Sequence, residues 1–159
     1  MSSHKLNSVL HSVLGGDLAT LKLAVAAGGD VNATDRDGRT ALFQAVIVDR
    51  CDLVSELLRS GADAEAKGTD GKTALHLAAI QGRVECARIL LIAGAPVDAG
   101  DKDGNTPLSD AVFYSGGRGD IIRLLLSHGA DPLLRNKHGV SPKELAESIS
   151  NYDVARFFQ

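Results

Sequence analysis

One pattern, Thr73-Ala74-Leu75-His76-Leu77-Ala78-Ala79, returns along this chain in fixed register. Thr40-Ala41-Leu42-Phe43-Gln44-Ala45 lies 33 residues before it, and Thr106-Pro107-Leu108-Ser109-Asp110-Ala111 lies 33 after it. Ser141-Pro142-Lys143-Glu144-Leu145-Ala146 follows after a further 35. A second series, Gly28, Gly61, Gly94 and Gly129, keeps the same spacing of 33, 33 and 35. A unit of this length cannot bury its own apolar face. Repeating it therefore restricts the chain to a stacked array in which neighbours complete each other's cores.

The register divides the chain into one domain, 1–159, of five units at about 4–34, 35–67, 68–100, 101–135 and 136–159. The first has apolar residues at helical spacing (Leu6, Val9, Leu10, Val13, Leu14), a break at Gly15-Gly16-Asp17, and a second helix ending at Gly28. Its polar face of His4, Lys5, Asn7, Ser8 and His11 suits a terminal cap. In the middle units a turn such as Asp35-Arg36-Asp37-Gly38 leads to a capping Thr and a short inner helix. An outer helix follows, with buried faces of Leu53, Val54, Leu57 and Leu58 in one unit and Val84, Cys86, Ala87, Leu90 and Leu91 in the next. The fourth unit carries two extra residues within 114–119, where glycines would let the loop reshape on contact. The fifth opens on a capping box, Ser141 with Glu144, and a second helix is expected at about 152–158.

Composition removes whole classes of function. Hydrophobic residues make up 44% of the chain but aromatics only 4%, with no Trp, which suits small aliphatic side chains between close helices. A net charge of −3 argues against nucleic acid or anionic membrane as partner. No apolar run approaches the ~18 residues of a membrane span. The first residues lack the apolar segment of a secretory signal, so the expected location is cytoplasmic. Two cysteines, Cys51 and Cys86, are too few for a disulfide framework. Each falls at an apolar helix position and is expected to be reduced and buried.

Gly71-Lys72-Thr73-Ala74-Leu75-His76-Leu77-Ala78-Ala79, with Gly61-Ala62-Asp63 and Gly129-Ala130-Asp131 closing units, resembles the ankyrin repeat. The resemblance covers essentially the whole chain, as three full repeats between divergent caps. Phe43, Ser109 and Glu144 stand where the motif has His, and Pro96 where it has Asp. The resemblance implies an all-α solenoid of helix-turn-helix units with projecting β-hairpin-like loops. It also implies protein binding on a concave surface made of hairpin tips and inner helices.

The chain's other signals for chemistry are incomplete. Asp101-Lys102-Asp103-Gly104-Asn105 opens like a calcium loop, but its twelfth position is Val112 rather than a bidentate Glu; Asp35-Arg36-Asp37-Gly38 likewise ends on Val46. Arg118-Gly119-Asp120 matches an adhesion tripeptide and Asn32-Ala33-Thr34 a glycosylation acceptor. Both are set aside for a chain without a secretory signal. The histidines show no helical zinc spacing, and the cysteines no Cys-x-x-Cys. No Gly-x-Ser-x-Gly or phosphate-binding loop is present. His76 is read as a structural hydrogen-bonding residue. No catalytic, cofactor or metal residue is therefore assigned, and the chain is expected not to be an enzyme.

What remains is surface. Phe113 and Tyr114 end the fourth inner helix, aligned with Ile47-Val48 and Ile80-Gln81, positions that in the ankyrin family commonly face the groove. Aromatics are frequent interface hot spots. The expected site is Phe113 and Tyr114, with Arg36, Arg39, Lys72 and Asn105 along hairpins whose basic rim would steer an acidic partner. The expected function is a non-enzymatic module, monomeric when unbound, that docks a folded protein. The alternative is an immunity-type inhibitor covering a toxin or enzyme, suggested by the tail, Ser141-Pro142 through Asn151-Tyr152-Asp153-Val154-Ala155-Arg156-Phe157-Phe158, which is similar to tails of small bacterial ankyrin-repeat proteins.

Overall fold

The computed structural model describes residues 8–159. His4, Lys5, Leu6 and Asn7 of the first unit lie outside the described residues. The described chain is an all-α repeat solenoid. Its helices are α1 (Ser8–Leu14), α2 (Leu18–Ala26), α3 (Ala41–Ile47), α4 (Cys51–Arg59), α5 (Ala74–Gln81), α6 (Val84–Ile92), α7 (Pro107–Tyr114), α8 (Asp120–Ser127) and α9 (Pro142–Ser148). Among the described residues there is no β-strand, and an isolated antiparallel bridge joins Thr34 to Thr40. No helix among them is long and apolar enough to cross a membrane.

Helices of seven to nine residues are too short to persist in water alone, so packing between units decides the fold. Odd-numbered helices form an inner row, each against the next, and the even-numbered helices α2 to α8 form an outer row in the same way. Leu42, Leu75 and Leu108, at equivalent positions of successive inner helices, are fully buried, as are Val54, Ala87 and Ile122 on the outer row. The outer helices stop as their glycines dictate. At the end of α4, Gly61 takes φ 90°, and its N–H and that of Ala62 donate back to Leu58 and Leu57 carbonyls. That pairing satisfies carbonyls the helix leaves open.

Loops between units are tied across the stack. The N–H groups of Thr69, Lys102 and Lys137 donate to the carbonyls of Asp37, Asp70 and Asp103 at 3.0, 3.2 and 2.9 Å. Within the tips, Asp35, Asp101 and Asn136 each accept two nearby backbone N–H groups through one side-chain oxygen. The two calcium-like openings are thus turn chemistry. Asn32 is similarly occupied, donating to the Gly61 carbonyl and accepting from the Asp63 N–H.

Three expectations are corrected. The tail is not a second α-helix but a 3₁₀ turn, Ala155–Phe158. Three residues per turn set Val154, which is fully buried, and Phe157 on one side, with the Phe157 N–H bonded to the Val154 carbonyl. Thr40 occupies the N-cap position of α3, but its hydroxyl caps nothing: Oγ1 is buried with no hydrogen-bond partner among the described residues. Phe43, three residues on, offers no polar atom to it. Cys51, finally, is partly exposed rather than buried, unlike Cys86.

Candidate functional site

Beside α7 and α9 the inner row opens into a groove of about 470 Å³, bounded by the loops at 101–105 and 136–141. Lys72, Asn105, Phe113 and Tyr114 all line it; Arg36 and Arg39 lie outside it. Leu108, Ala111 and Val112 turn the buried face of α7 into the stack, which leaves the last two helix positions facing out. Phe113 is 64% exposed and Tyr114 50%. Their rings meet edge to face, with centroids 5.0 Å apart at 74°. Such geometry holds two large apolar surfaces in a fixed relation without burying them.

The polar floor is an ion triad. The Lys72 Nζ donates to Asp101 Oδ2 and Asp110 Oδ2, both at 2.8 Å. Burial pulls the ammonium toward neutrality, but hydrogen bonds to the two carboxylates outweigh it and hold Lys72 above its ordinary range. Burial pushes the Asp110 carboxyl up despite Lys72. At Asp101 burial acts the same way, but Lys72 and backbone N–H groups overcome it and hold that carboxyl below the usual range. Lys72 is therefore a strut between successive units, not a mobile surface cation. Other cations along the loops between units are also engaged. Lys67 donates to the Gly100 carbonyl at 2.7 Å, Lys137 to the Lys102 carbonyl, and Arg135 pairs with Glu144.

Asn105 shows how much of the groove wall is scaffold. Its N–H donates to Asp101, its side-chain oxygen accepts from Asn136 Nδ2 at 2.7 Å, and its carbonyl meets His76 Nε2 at 3.0 Å. A carbonyl only accepts, so Nε2 carries the imidazole proton and Nδ1 presents a lone pair. Nδ1 accepts from the Thr73 N–H at 3.1 Å and lies 2.9 Å from the Thr73 hydroxyl. His76 is fully buried, and burial lowers its pKa to about 4, so it stays neutral. Fixed between a capping Thr and the next unit's backbone, it is structural, as its place in the repeat implies. At the equivalent positions Phe43 is a buried apolar plug, Ser109 lies 3.4 Å from the Thr106 hydroxyl, and Glu144 closes a capping box with Ser141.

The loop at 115–119 is tied by its own hydrogen bonds and packed against the tail. Ser115 is buried, donating to the Val112 carbonyl and accepting from the Gly117 N–H. Gly117 takes φ 87°, and a Cβ there would sit 3.1 Å from the Tyr152 ring. A Cβ on Gly119 would lie 2.2 Å from the Phe157 ring. Gly117 and Gly119 serve close approach of the tail, and sequence reasoning missed this because no signal placed the tail against the loop. Phe157 is clasped in turn by Arg123 and Arg156, each with its guanidinium carbon 4.8 Å from the ring centroid. Of the adhesion-like tripeptide, Gly119 is buried in this corner, whereas Arg118 and Asp120 are exposed.

Metal-ligating chemistry converges elsewhere. Among the described residues, Asp49, Cys51 and Cys86 bring one ligand atom each within 4.8 Å of one another. They join the start of α4 to α6 on the outer row, away from the groove.

Comparison with known proteins bears on the repeats directly. A family model described as ankyrin repeats (3 copies) matches residues 49–136. No curated protein matches the chain significantly.

Proposed function

This chain belongs to the ankyrin repeat family, and on that footing we propose that it is a non-enzymatic module whose concave face docks one folded protein partner. Ankyrin repeats generally mediate protein–protein interaction and are generally not catalytic. The observation that carries the finer reading is the exposed, edge-packed pair Phe113 and Tyr114 at the mouth of the groove. The pair supplies the anchor, since two aromatics held in register lose little freedom on binding. Lys72 and Asn105 fix the wall beneath it. Arg36 and Arg39, whose side chains have no partner among the described residues, supply long-range attraction to acidic surface from further along the loops. The domain is read as one stack of five units, monomeric when unbound, in the cytoplasm.

The test is affinity capture from the native cell with the intact protein as bait, followed by titration of the captured partner against Tyr114→Ala. Its melting temperature should match the wild type, because the ring is half exposed. Affinity is expected to fall about tenfold or more, near 1.4 kcal/mol. Unchanged affinity in both Tyr114→Ala and the Phe113→Ala/Tyr114→Ala double variant would move the interface elsewhere. A partner whose own activity stops on binding would make the module an inhibitor.

A further inference from the structure

The outer row carries a feature that repeat packing does not require. Cys51 opens α4 and Cys86 stands at the third position of α6, and their sulfur atoms are 2.6 Å apart. They are the chain's two cysteines. Equivalent positions hold Leu18 and Val84 for Cys51, and Leu53 for Cys86, so an apolar side chain would serve packing at either. The separation in sequence is 35 residues, two beyond the repeat, and stacking adjacent outer helices brings the two together.

A third residue departs from the pattern in the same place. Asp49 is left-handed, with φ 57°. Gly16, Gly82 and Gly117 hold the equivalent position in the first, third and fourth units at φ 67°, 67° and 87°. Its carboxylate lies 3.7 Å from Cys86 Sγ and 3.0 Å from Arg83 Nη1.

We propose that Cys51 and Cys86 form a redox-modification site, oxidised by a small-molecule disulfide to an intramolecular cystine that ties α4 to α6. Cys51, the partly exposed thiol, loses its proton and attacks one sulfur of the reagent. The reagent's S–S bond breaks and one small thiolate leaves. Cys86 then loses its proton and attacks Cys51 Sγ, the mixed S–S bond breaks, and the second small thiolate leaves. The two departing thiolates take up the two protons. The protein pair is oxidised by two electrons and the reagent is reduced by two. The half-exposed Asp49 carboxylate is the acceptor facing the buried Cys86 thiol. Burial, with Cys51 and Asp49 beside it, pushes the Cys86 thiol above its ordinary range, so Cys51 is the thiol that initiates.

Geometry favours this over a metal. Two thiolates bound at ~2.3 Å to one tetrahedral zinc stand roughly 3.8 Å apart, whereas a cystine needs ~2.05 Å. From 2.6 Å, bond formation asks for the smaller movement, and Asp49 is already paired with Arg83.

The experiment equilibrates the folded full-length protein with oxidised glutathione, quenches with acid, denatures, and maps peptides without reductant. One cross-linked peptide pair containing Cys51 and Cys86 is expected, with an intact mass lower by two hydrogens and no thiol left to alkylate. Cys51→Ser should give no cross-link, and reductant should restore both thiols in the wild type. The proposal falls if both cysteines stay free, if each carries its own glutathione, or if the cross-link joins two molecules. It falls equally if reduced protein retains one equivalent of added zinc on both thiols and then resists oxidation.

Discussion

His76 sets the clearest condition on the environment. It is neutral and buried, with a pKa near 4 against an ordinary 6.5. Between those values the unfolded chain binds a proton that the folded chain refuses, so stability is complete above about pH 6.5 and declines as pH falls toward 4. The shift corresponds to about 3 kcal/mol at full effect. Urea midpoints measured from pH 7 to pH 4.5 should therefore fall steadily. In His76→Phe, which copies the solution found at Phe43, that slope should largely vanish although the variant is weaker at pH 7. Asp110 acts in the opposite sense, because its raised carboxyl favours the folded state on protonation. A wild-type midpoint that stays level across the range would mean the imidazole is solvated. At this scale the sequence was legible in type but not in partner. Position 76 announced a structural histidine through its motif. Nothing in the composition of the next unit announced that the Asn105 carbonyl would receive it, because backbone groups carry no residue identity. Thr40 shows the converse: the right residue stands at the cap, and Phe43 leaves its hydroxyl alone.

Among the elements, the helices were legible and the loop after α7 was not. Short apolar patterns between capping Thr and terminal Gly gave the inner and outer rows, since one periodicity serves every unit. The insertion was placed correctly between α7 and α8, but its glycines were assigned to mobility. In the structure Gly117 and Gly119 admit Tyr152 and Phe157, a contact between residues far apart in sequence that no local pattern encodes. Gly119→Ala should consequently cost about 1–3 kcal/mol, the usual cost of overpacking, and raise hydrogen exchange in the backbone of residues 152–158. Gly116→Ala, where an added Cβ meets nothing, should show only the smaller penalty of a left-handed alanine. If Gly119→Ala left exchange in the tail unchanged, the tail would not be held by this contact. The candidate groove was half legible: the aromatic pair was found by register, whereas the charged residues around it proved to be mostly ties between units.

For the whole molecule, stability is a property of stacking. Pro142, Ala146 and Val154 are buried in the last segment, and α9 covers α7. Ending the chain at residue 135 should expose the inner side of the fourth unit. The expected result is aggregation on size exclusion or a melting temperature lower by several degrees; an equally stable monomer of 1–135 would make the last unit an appendage. The same arrangement governs how the chain finds its fold. The packed helix pairs lie within one unit or between adjacent ones, so the search never has to close a loop much longer than a single repeat. Ordering should begin with any neighbouring pair of units and spread outward at the speed of local contacts. A cross-link between two outer helices would act there as a ready-made nucleus, raising the refolding rate as well as slowing the loss of structure.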